Sequence, residues 1–182
     1  MPDSTVAPLD ATDFDTAIGR CAIAWRAGAV ARFQLPGHDP GTTRLIGDDA
    51  RPIPVPADGP RAETIARIRA HLDGDLDDLR WIPLDLAGLP EFHRAVYSVT
   101  RAIDPGHTLS YGEIARCCGA VGAAQAVGQA LGSNPIPLIV PCHRVLAADH
   151  SLHGFSAPGG VDTKSKLLAI ERTPGFGEPT LF

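Results

Sequence analysis

A short apolar run that ends in proline is the feature that most constrains this chain. Residues 138–140 (LIV) have no polar break, which is typical of a strand buried on both faces. Pro141 follows, and because proline has no N–H to donate, sheet pairing should stop there. Cys142, His143 and Arg144 come next. The pattern therefore predicts a thiol, an imidazole and a guanidinium at the end of a buried strand.

The side chains after this strand have two interpretations. A nearby cation would lower the pKa of the Cys142 thiol and favour a nucleophile, but a free cysteine is more often a small buried apolar side chain. His143 is adjacent, yet neighbours in an extended chain point to opposite faces, so contact needs a turn or a bridging water. Glu171 ends the final predicted helix, where the helix dipole disfavours an anion by about 0.3–1 kcal/mol. Together they would supply a nucleophile, a base and an orienting carboxylate, although a surface position explains Glu171 equally well.

The composition limits the class of protein. With 182 residues, 44% hydrophobic and 20% charged, the chain has room for one large or two small globular domains. It has no apolar run near the roughly 18 residues that a membrane helix needs, and the acidic residues 1–15 do not resemble a secretory signal. We therefore expect a cytoplasmic protein, without membrane contact, whose cysteines at 21, 117, 118 and 142 are free thiols. Their spacing matches no zinc pattern, so we expect no metal site.

The periodicity predicts an α+β chain in two domains. Residues 14–35 predict a β-hairpin, and residues 79–86 a short strand at a sheet edge. Between them, residues 36–60 predict a loop and residues 60–72 an amphipathic helix that ends before Gly74. The segment AGLPE gives the domain boundary, with one domain over residues 1–88 and a second over residues 89–182.

The second domain is predicted to be mostly helical. An apolar stripe from Phe92 to Ile103 predicts one helix, and a capping box formed by Ser110 and Glu113 opens a short second helix. A third follows over residues 122–132. Two short helices joined by a glycine turn fit a helix-turn-helix, although the pattern alone favours an ordinary helical hairpin. Residues 117–133 carry no charge, which indicates either close backbone approach to a phosphate or plain tight packing.

Four sequence blocks, in this order and spacing, resemble one known family. They are SYGEIA, AVGQALGSNPIPLIVPCHRVLA, GFSAPGG and KLLAIE. Over residues 90–172 the chain is similar to the C-terminal domain of the O6-alkylguanine-DNA alkyltransferases, the methylated-DNA–protein-cysteine methyltransferases. The first half resembles the family's ribonuclease-H-like domain more loosely. The resemblance thus implies an α+β fold, with a ribonuclease-H-like α/β domain before a mostly helical domain that holds a helix-turn-helix and a short active-site strand.

The resemblance also implies a single-turnover DNA repair reaction without a cofactor. The protein would bind the minor groove of double-stranded DNA as a monomer and flip out the alkylated base. It would then move the O6-alkyl group of guanine onto Cys142, with the O4-alkyl group of thymine as a second candidate substrate. His143 would take the thiol proton through a water molecule, and Glu171 would hold His143.

Further residues receive roles from the same resemblance. Asn134 would brace the turn before Cys142, Tyr111 would donate toward the purine N3 as guanine leaves, and Arg144 would be mainly structural. Pro137 and Phe155 would line the base pocket. The other positions expected at the DNA or the base are Ser110, Gln125, Val145 and Ser156.

One position departs from the family's pattern, and two other functions remain open. The family usually carries an arginine that fills the space of the flipped base, whereas this chain has the shorter, uncharged Gln125, so we expect weaker DNA binding. A lesion sensor that flags damage without transfer is one alternative, although such sensors lack the acceptor cysteine that Cys142 supplies. The other alternative is a Cys-His-Glu thiol hydrolase, which would turn over repeatedly.

Overall fold

The computed structural model describes residues 6–37, 49–152, 155, 157 and 159–177. These residues form an α+β structure with five α-helices and two small sheets. In chain order the elements are β1 (Leu9–Thr16), β2 (Gly19–Arg26), β3 (Ala29–Gln34), β4 (Ala50–Pro52), α1 (Gly59–Leu72), α2 (Glu91–Arg101), β5 (Leu109–Ser110), α3 (Tyr111–Cys117), α4 (Ala124–Gly132), β6 (Val145–Leu146) and α5 (Gly160–Ile170).

The larger sheet has the strand order β3-β2-β1-β4. β2 pairs antiparallel with both β1 and β3, and β4 pairs parallel with β1. The predicted hairpin is confirmed as β2–β3, whose turn residues Ala27 and Gly28 both have positive φ, as the right-handed twist of a hairpin favours. β1 was not predicted, apart from residues 14–16, which lie inside the predicted hairpin segment. Asp10 is held in the strand by ion pairs with Arg51 and Arg61, at 2.6 and 3.1 Å.

The predicted edge strand over residues 79–86 is wrong. This segment forms only an isolated bridge between Leu84 and Val30 of β3. Two backbone hydrogen bonds of 2.8 Å, from Val30 N to Pro83 O and from Asp85 N to Val30 O, hold it beside the sheet. Because Pro83 cannot donate, the pairing does not extend further.

The predicted helices α1 and α2 are confirmed. Ile65, Ile68 and Leu72 lie buried along one face of α1, and the chain leaves that helix through Gly74 at φ +98°. α2 ends at Arg101, shortly before the DPG sequence that was expected to close it. The end of α1 and the end of α5 both reach the site described below.

The two short helices α3 and α4 pack against each other across a tight turn, and their assignment as a helix-turn-helix stays a prediction. The capping box at the start of α3 is confirmed, because Glu113 N donates to Ser110 Oγ at 3.1 Å and Ser110 N donates to the Glu113 carboxylate at 2.7 Å. Gly119 and Gly122 in the connection have φ of +70° and +84°, which side chains with a Cβ rarely adopt. The glycines therefore permit the tight turn that brings α4 against α3.

The prediction of a buried strand over residues 138–140 is wrong. Residues 137–140 form a tight turn in which Leu138 has a φ of +75° and Val140 N donates to Ile136 O at 2.8 Å. Proline at 135, 137 and 141 removes three N–H donors, so this segment cannot join a ladder even though it is buried. The short strand of the site is instead β6, which follows the cysteine and pairs in parallel with β5.

One hydrophobic core runs from the first sheet into the helices. It includes residues of β2, β3 and α1 together with residues of α2, α3, α4 and α5. The core contains residues from both sides of the boundary predicted at residue 88. The division of the chain into two domains stays a prediction. Among the residues that the structure describes, no helix is long and apolar enough to cross a membrane.

Candidate active site

A 3₁₀ turn over Cys142–Arg144 builds the centre of the site. Cys142 N donates to Val140 O at 2.8 Å and Arg144 N donates to Pro141 O at 2.9 Å, which closes the chain tightly after the proline. A 3₁₀ turn separates successive side chains by about 120°, rather than the nearly opposite directions of a strand. The turn thus removes the geometric objection to placing a thiol beside the next residue's imidazole.

Glu171, at the end of α5, accepts hydrogen bonds from the side chains of both residues that follow Cys142. Its Oε1 accepts from His143 Nε2 at 2.9 Å and from Arg144 Nη2 at 2.7 Å, and its Oε2 accepts from Arg144 Nε at 2.9 Å. The Glu171 side chain is only 1% exposed, so the surface interpretation of this residue is wrong. Arg144 continues the network by donating through Nη1 to Ile103 O at 2.6 Å. The two residues form a buried, bidentate ion pair beside the imidazole.

Burial and the charges of this network determine the protonation state of the His143 imidazole. Burial alone would raise the pKa of Glu171, but its interactions with His143, His71 and Arg144 outweigh burial and hold the pKa well below its ordinary value. Burial lowers the pKa of His143, against the opposing effect of Glu171. At neutral pH, His143 is therefore uncharged and its Nε2–H donates to the carboxylate. Its Nδ1 is left as an acceptor with no partner among the described residues, as a proton-accepting base requires.

The thiol of Cys142 is held in its protonated form. Burial raises its pKa above the ordinary value, while a hydrogen bond from Asn134, the charge of Lys164 and nearby backbone N–H groups act in the opposite direction. The residue is 5% exposed. A buried neutral thiol reacts slowly with solutes, so the site needs a base that removes the proton when the substrate arrives.

Asn134 stabilises the turn that precedes Cys142 through two side-chain hydrogen bonds. Its Nδ2 donates to Val140 O at 2.9 Å, and its Oδ1 accepts from Ile136 N at 3.0 Å. Both bonds replace partners that the proline-rich segment cannot find in a sheet. The side chain thereby holds the turn closed and also lies within reach of the thiol.

Tyr111 and Lys164 form a second polar group near the thiol. Burial, together with the nearby Cys142, raises the pKa of Tyr111, so its phenol stays protonated and can donate. The Lys164 Nζ lies 5.9 Å from the centre of the Tyr111 ring and donates to Val145 O at 2.7 Å. This cation is almost fully buried, and its positive charge opposes the effect of burial on the Cys142 thiol.

The other predicted site residues lie partly beside the Cys142 turn and partly outside the buried network. Ser110 pairs with Leu146 next to the pairing of Leu109 with Val145, so Ser110 and Val145 share the small sheet. Pro137 lies in the turn before Cys142, and Phe155 packs on the core at partial exposure. Ser156 lies outside the described residues. Gln125 is exposed near the start of α4 and is not part of the buried network.

Two buried polar residues of the site, His71 and Lys164, were not predicted from the sequence. His71 lies in α1 and contacts Glu171 across 100 positions of sequence, so no local pattern could have revealed it. Lys164 follows the charged start of α5 and resembles an ordinary surface lysine in the sequence. Its burial depends on β6, whose carbonyl it meets.

Known proteins share both the sequence and this architecture. Residues 91–173 match the family model described as "6-O-methylguanine DNA methyltransferase, DNA binding domain". The methylated-DNA–protein-cysteine methyltransferase of Mycolicibacterium paratuberculosis is 43% identical over 158 residues, which cover 84% of this chain and 93% of that protein. The chain belongs to the methylated-DNA–protein-cysteine methyltransferase family. The Mycobacterium tuberculosis (strain H37Rv) member is 41% identical over the same shares of both chains.

Solved structures of this family have the same overall fold. The structure of Mycobacterium tuberculosis O6-methylguanine methyltransferase aligns with a TM-score of 0.74 at 34% identity, covering 92% of this chain and 96% of that chain. The Mycobacterium tuberculosis OGT in complex with DNA aligns with a TM-score of 0.71 at 34% identity, covering 90% of this chain and 93% of that chain. The similarity spans both halves of the chain, not only the helical part around Cys142.

Proposed function

We propose that this methyltransferase repairs alkylated DNA by direct reversal, moving the alkyl group from O6-alkylguanine onto Cys142. One observation carries the proposal. The buried neutral thiol of Cys142 precedes His143 in the same 3₁₀ turn; His143 Nε2 is held by Glu171, and its Nδ1 is an acceptor without a partner in the described part of the chain. This arrangement supplies a nucleophile, a base and an orienting carboxylate for a single transfer.

The reaction requires one bond to form and one to break. His143 Nδ1 accepts the Cys142 proton, directly or through a water molecule, and the sulfur attacks the alkyl carbon. The S–C bond forms as the C–O6 bond breaks, and the electron pair of that bond stays on the guanine. Tyr111 donates toward the purine N3 and stabilises the developing charge. Glu171 stabilises the imidazolium that His143 becomes, and the thioether that remains is stable, so each molecule acts once.

The base pocket is assigned to residues around the same turn. Pro137 and Phe155 line it, and the backbone carbonyls of Cys142 and Val145 read the edge of the guanine, with Ser156 supplying an N–H. Val145 O already accepts from Lys164 at 2.7 Å. A carbonyl oxygen has two lone pairs, so it can accept from the base as well. Lys164 then places a positive charge beside the departing guanine.

The DNA is bound through the helix-turn-helix formed by α3 and α4. This surface carries no charge from 117 to 133, and Val121 in the connecting turn is 81% exposed. An uncharged, glycine-rich surface fits the minor groove of double-stranded DNA by close approach, with backbone N–H groups toward the phosphates. The protein acts as a monomer, and flipping the alkylated base costs a few kcal/mol, less when the damaged pair is already weak.

The first half of the chain is assigned to the ribonuclease-H-like domain of the family. Support comes from the sheet order β3-β2-β1-β4, with two antiparallel pairings and one parallel pairing, and from the position of α1 against β1. This half brings α1 to the active site.

Exchanging Gln125 for arginine is expected to tighten DNA binding. Gln125 is exposed near the start of α4, where a longer cationic side chain can enter the space of the flipped base and meet phosphates. We expect Gln125→Arg to lower the dissociation constant for lesion-containing duplex by about 3–10-fold, with a steeper dependence on salt. Gel-shift titration at two salt concentrations measures this. Gln129→Arg adds the same charge one helical turn later, and equal gains from both variants would show that Gln125 has no special position.

Mixing the protein with a duplex that contains O6-methylguanine tests the proposed function. Intact-mass spectrometry should show a gain of about 14 Da per molecule, the mass of one methylene, and no further transfer when substrate is in excess. Repeated turnover without an adduct would identify a thiol hydrolase. Tight binding of the lesion without an adduct would identify a sensor.

A further inference from the structure

A histidine from the first half of the chain enters the active-site network. His71, in the last turn of α1, is fully buried, and its Nε2 lies 3.0 Å from Glu171 Oε1. The same carboxylate oxygen accepts from His143 Nε2 at 2.9 Å and from Arg144 Nη2 at 2.7 Å. One oxygen atom thus receives three donors from two separate elements, and one of those donors belongs to α1.

The protonation of His71 is fixed by its other neighbour. The backbone N–H of Asp77 donates to His71 Nδ1 at 3.1 Å. Because a backbone amide can only donate, Nδ1 must be the acceptor and the ring proton must sit on Nε2, directed at Glu171. Asp77 is held in turn, since its carboxylate accepts from Arg67 Nε at 3.0 Å and from Leu79 N at 2.7 Å. The imidazole of His71 is therefore an oriented neutral donor.

A second contact joins the same two helix ends. Arg172, which follows Glu171, donates through Nη2 to Gly74 O at 3.2 Å just beyond α1. Glu171 and Arg172 thus each contact the end of α1 through their side chains, Glu171 at the His71 imidazole and Arg172 at the backbone carbonyl of Gly74. The position of the Glu171 carboxylate depends on where α1 ends.

We propose that His71 is a positioning residue for alkyl transfer, which supplies the third hydrogen bond to Glu171 Oε1 and thereby sets the base strength of His143. This proposal rests on the proposed role of His143 as the base for Cys142. His71 does not touch the thiol in this network. It acts through the Glu171 carboxylate on the base His143, and so links the first half of the chain to the alkyl-transfer step.

The physical basis is competition for the electron density of one oxygen. Each donor to Oε1 takes a share of the negative charge that the carboxylate can direct at the imidazolium form of His143. Removing the His71 donor leaves more of that charge for His143, so the pKa of His143 should rise. Within the described residues, four charged or titratable groups face His143: Cys142 and Arg144 from its own turn, Glu171 at the end of α5 and His71 from α1. Lys164 of α5 acts on the thiol of Cys142.

Two substitutions separate the two hydrogen bonds of His71. In His71→Gln the amide nitrogen lies near the position of Nε2 and can still donate to Glu171, while the acceptor for Asp77 N is lost. In His71→Asn the shorter amide oxygen lies near the position of Nδ1 and can still accept from Asp77, while the donor to Glu171 is lost. The two variants have similar polarity. They test the hydrogen bond to Glu171 separately from the hydrogen bond that His71 accepts from Asp77 N.

The experiment measures the single-turnover rate of methyl transfer as a function of pH for wild type and both variants. We expect the acid limb of His71→Asn to move up by about 0.5–1 pH unit, a rate loss of about 3–10-fold on that limb. His71→Gln should keep the wild-type limb. Coincident limbs for all three proteins, or equal shifts in both variants, would overturn the proposal even if the rates or stabilities differ.

A second measurement keeps this result separate from the proposed function. Titration of the His143 ring signals by NMR reports the same pKa without any substrate. If wild type forms no adduct, the proposed function fails, while a raised pKa of His143 in His71→Asn alone would still support the link to Glu171. If wild type forms the adduct and the ring signals titrate identically in all three proteins, only the role of His71 is wrong.

Discussion

Replacing Cys142 with serine is expected to abolish alkyl transfer while leaving the fold intact. The two side chains have nearly the same shape, so the 3₁₀ turn and its backbone hydrogen bonds should persist. An alkoxide is far harder to form than a thiolate and attacks a saturated carbon poorly, so we expect a loss of at least about 10⁴-fold, to below detection. Intact-mass spectrometry with an O6-methylguanine duplex measures the adduct, and circular dichroism checks the fold.

The other cysteines supply the controls for this experiment. Cys117 is exposed and Cys118 partly exposed at the end of α3, so both are accessible to reagents. Cys117→Ser and Cys118→Ser should retain the full adduct, because neither thiol belongs to the His143–Glu171 network. Burial in the first sheet raises the pKa of Cys21 to about 12, which makes that thiol unreactive at neutral pH. An adduct of normal yield on Cys142→Ser would assign the acceptor to another residue.

Among the proposed substitutions, Glu171→Ala is expected to lower the free energy of unfolding most. The Glu171 carboxylate accepts from Arg144, His143 and His71 with 1% of the side chain exposed. Glu171→Ala leaves the Arg144 charge buried without its partner, which typically costs about 3–5 kcal/mol. Glu171→Gln keeps the volume but directs an amide N–H₂ group at existing donors, so we expect a smaller loss of stability. Urea unfolding at pH 7 measures both.

The pH dependence of this loss follows from the depressed pKa of Glu171. A carboxyl group with a lower pKa in the folded state contributes its full stabilisation above the unfolded-state pKa of about 4.3. That contribution is lost as pH falls toward the folded-state pKa, by up to about 1.4 kcal/mol per pH unit. The difference in unfolding free energy between wild type and Glu171→Gln should therefore be constant near neutral pH and shrink below about pH 4.

An exposed glutamate on another helix provides the matched control. Glu63 lies on the solvent face of α1, so Glu63→Gln should change the unfolding free energy little at any pH. If Glu171→Gln behaves like Glu63→Gln, the buried network does not stabilise the fold. The same variants separate stability from chemistry, because Glu171→Gln should also slow methyl transfer through His143 whereas Glu63→Gln should not.

Local rules of sequence were sufficient for several elements. The capping box of Ser110 and Glu113, the apolar face of α1 and the β2–β3 hairpin depend on residues a few positions apart, so their patterns predict them directly. The PCHRV block likewise indicated Cys142 as a candidate nucleophile, because three polar residues directly follow a proline that ends strand pairing. These elements follow from short-range sterics and hydrogen bonding.

Local rules failed where burial came from distant elements. The LIV run is apolar and lies in the hydrophobic core, but it forms a tight turn because three prolines remove the donors of a strand. β1 is a strand despite its carboxylates, since Arg51 and Arg61 neutralise Asp10 from elsewhere in the chain. In both cases the composition of the segment was compatible with more than one structure.

The sequence by itself therefore identified the family and predicted several of the helices, and the resemblance to that family named Cys142 as the candidate nucleophile. Only the tertiary structure decided that the Cys142 thiol is neutral, that His143 Nδ1 has no partner among the residues described, and that His71 contacts Glu171 across 100 residues. The reason is physical: a pKa and a proton position depend on burial and on every charge within a few ångströms. Those neighbours come from α1, α5 and the 3₁₀ turn, and folding alone brings them together.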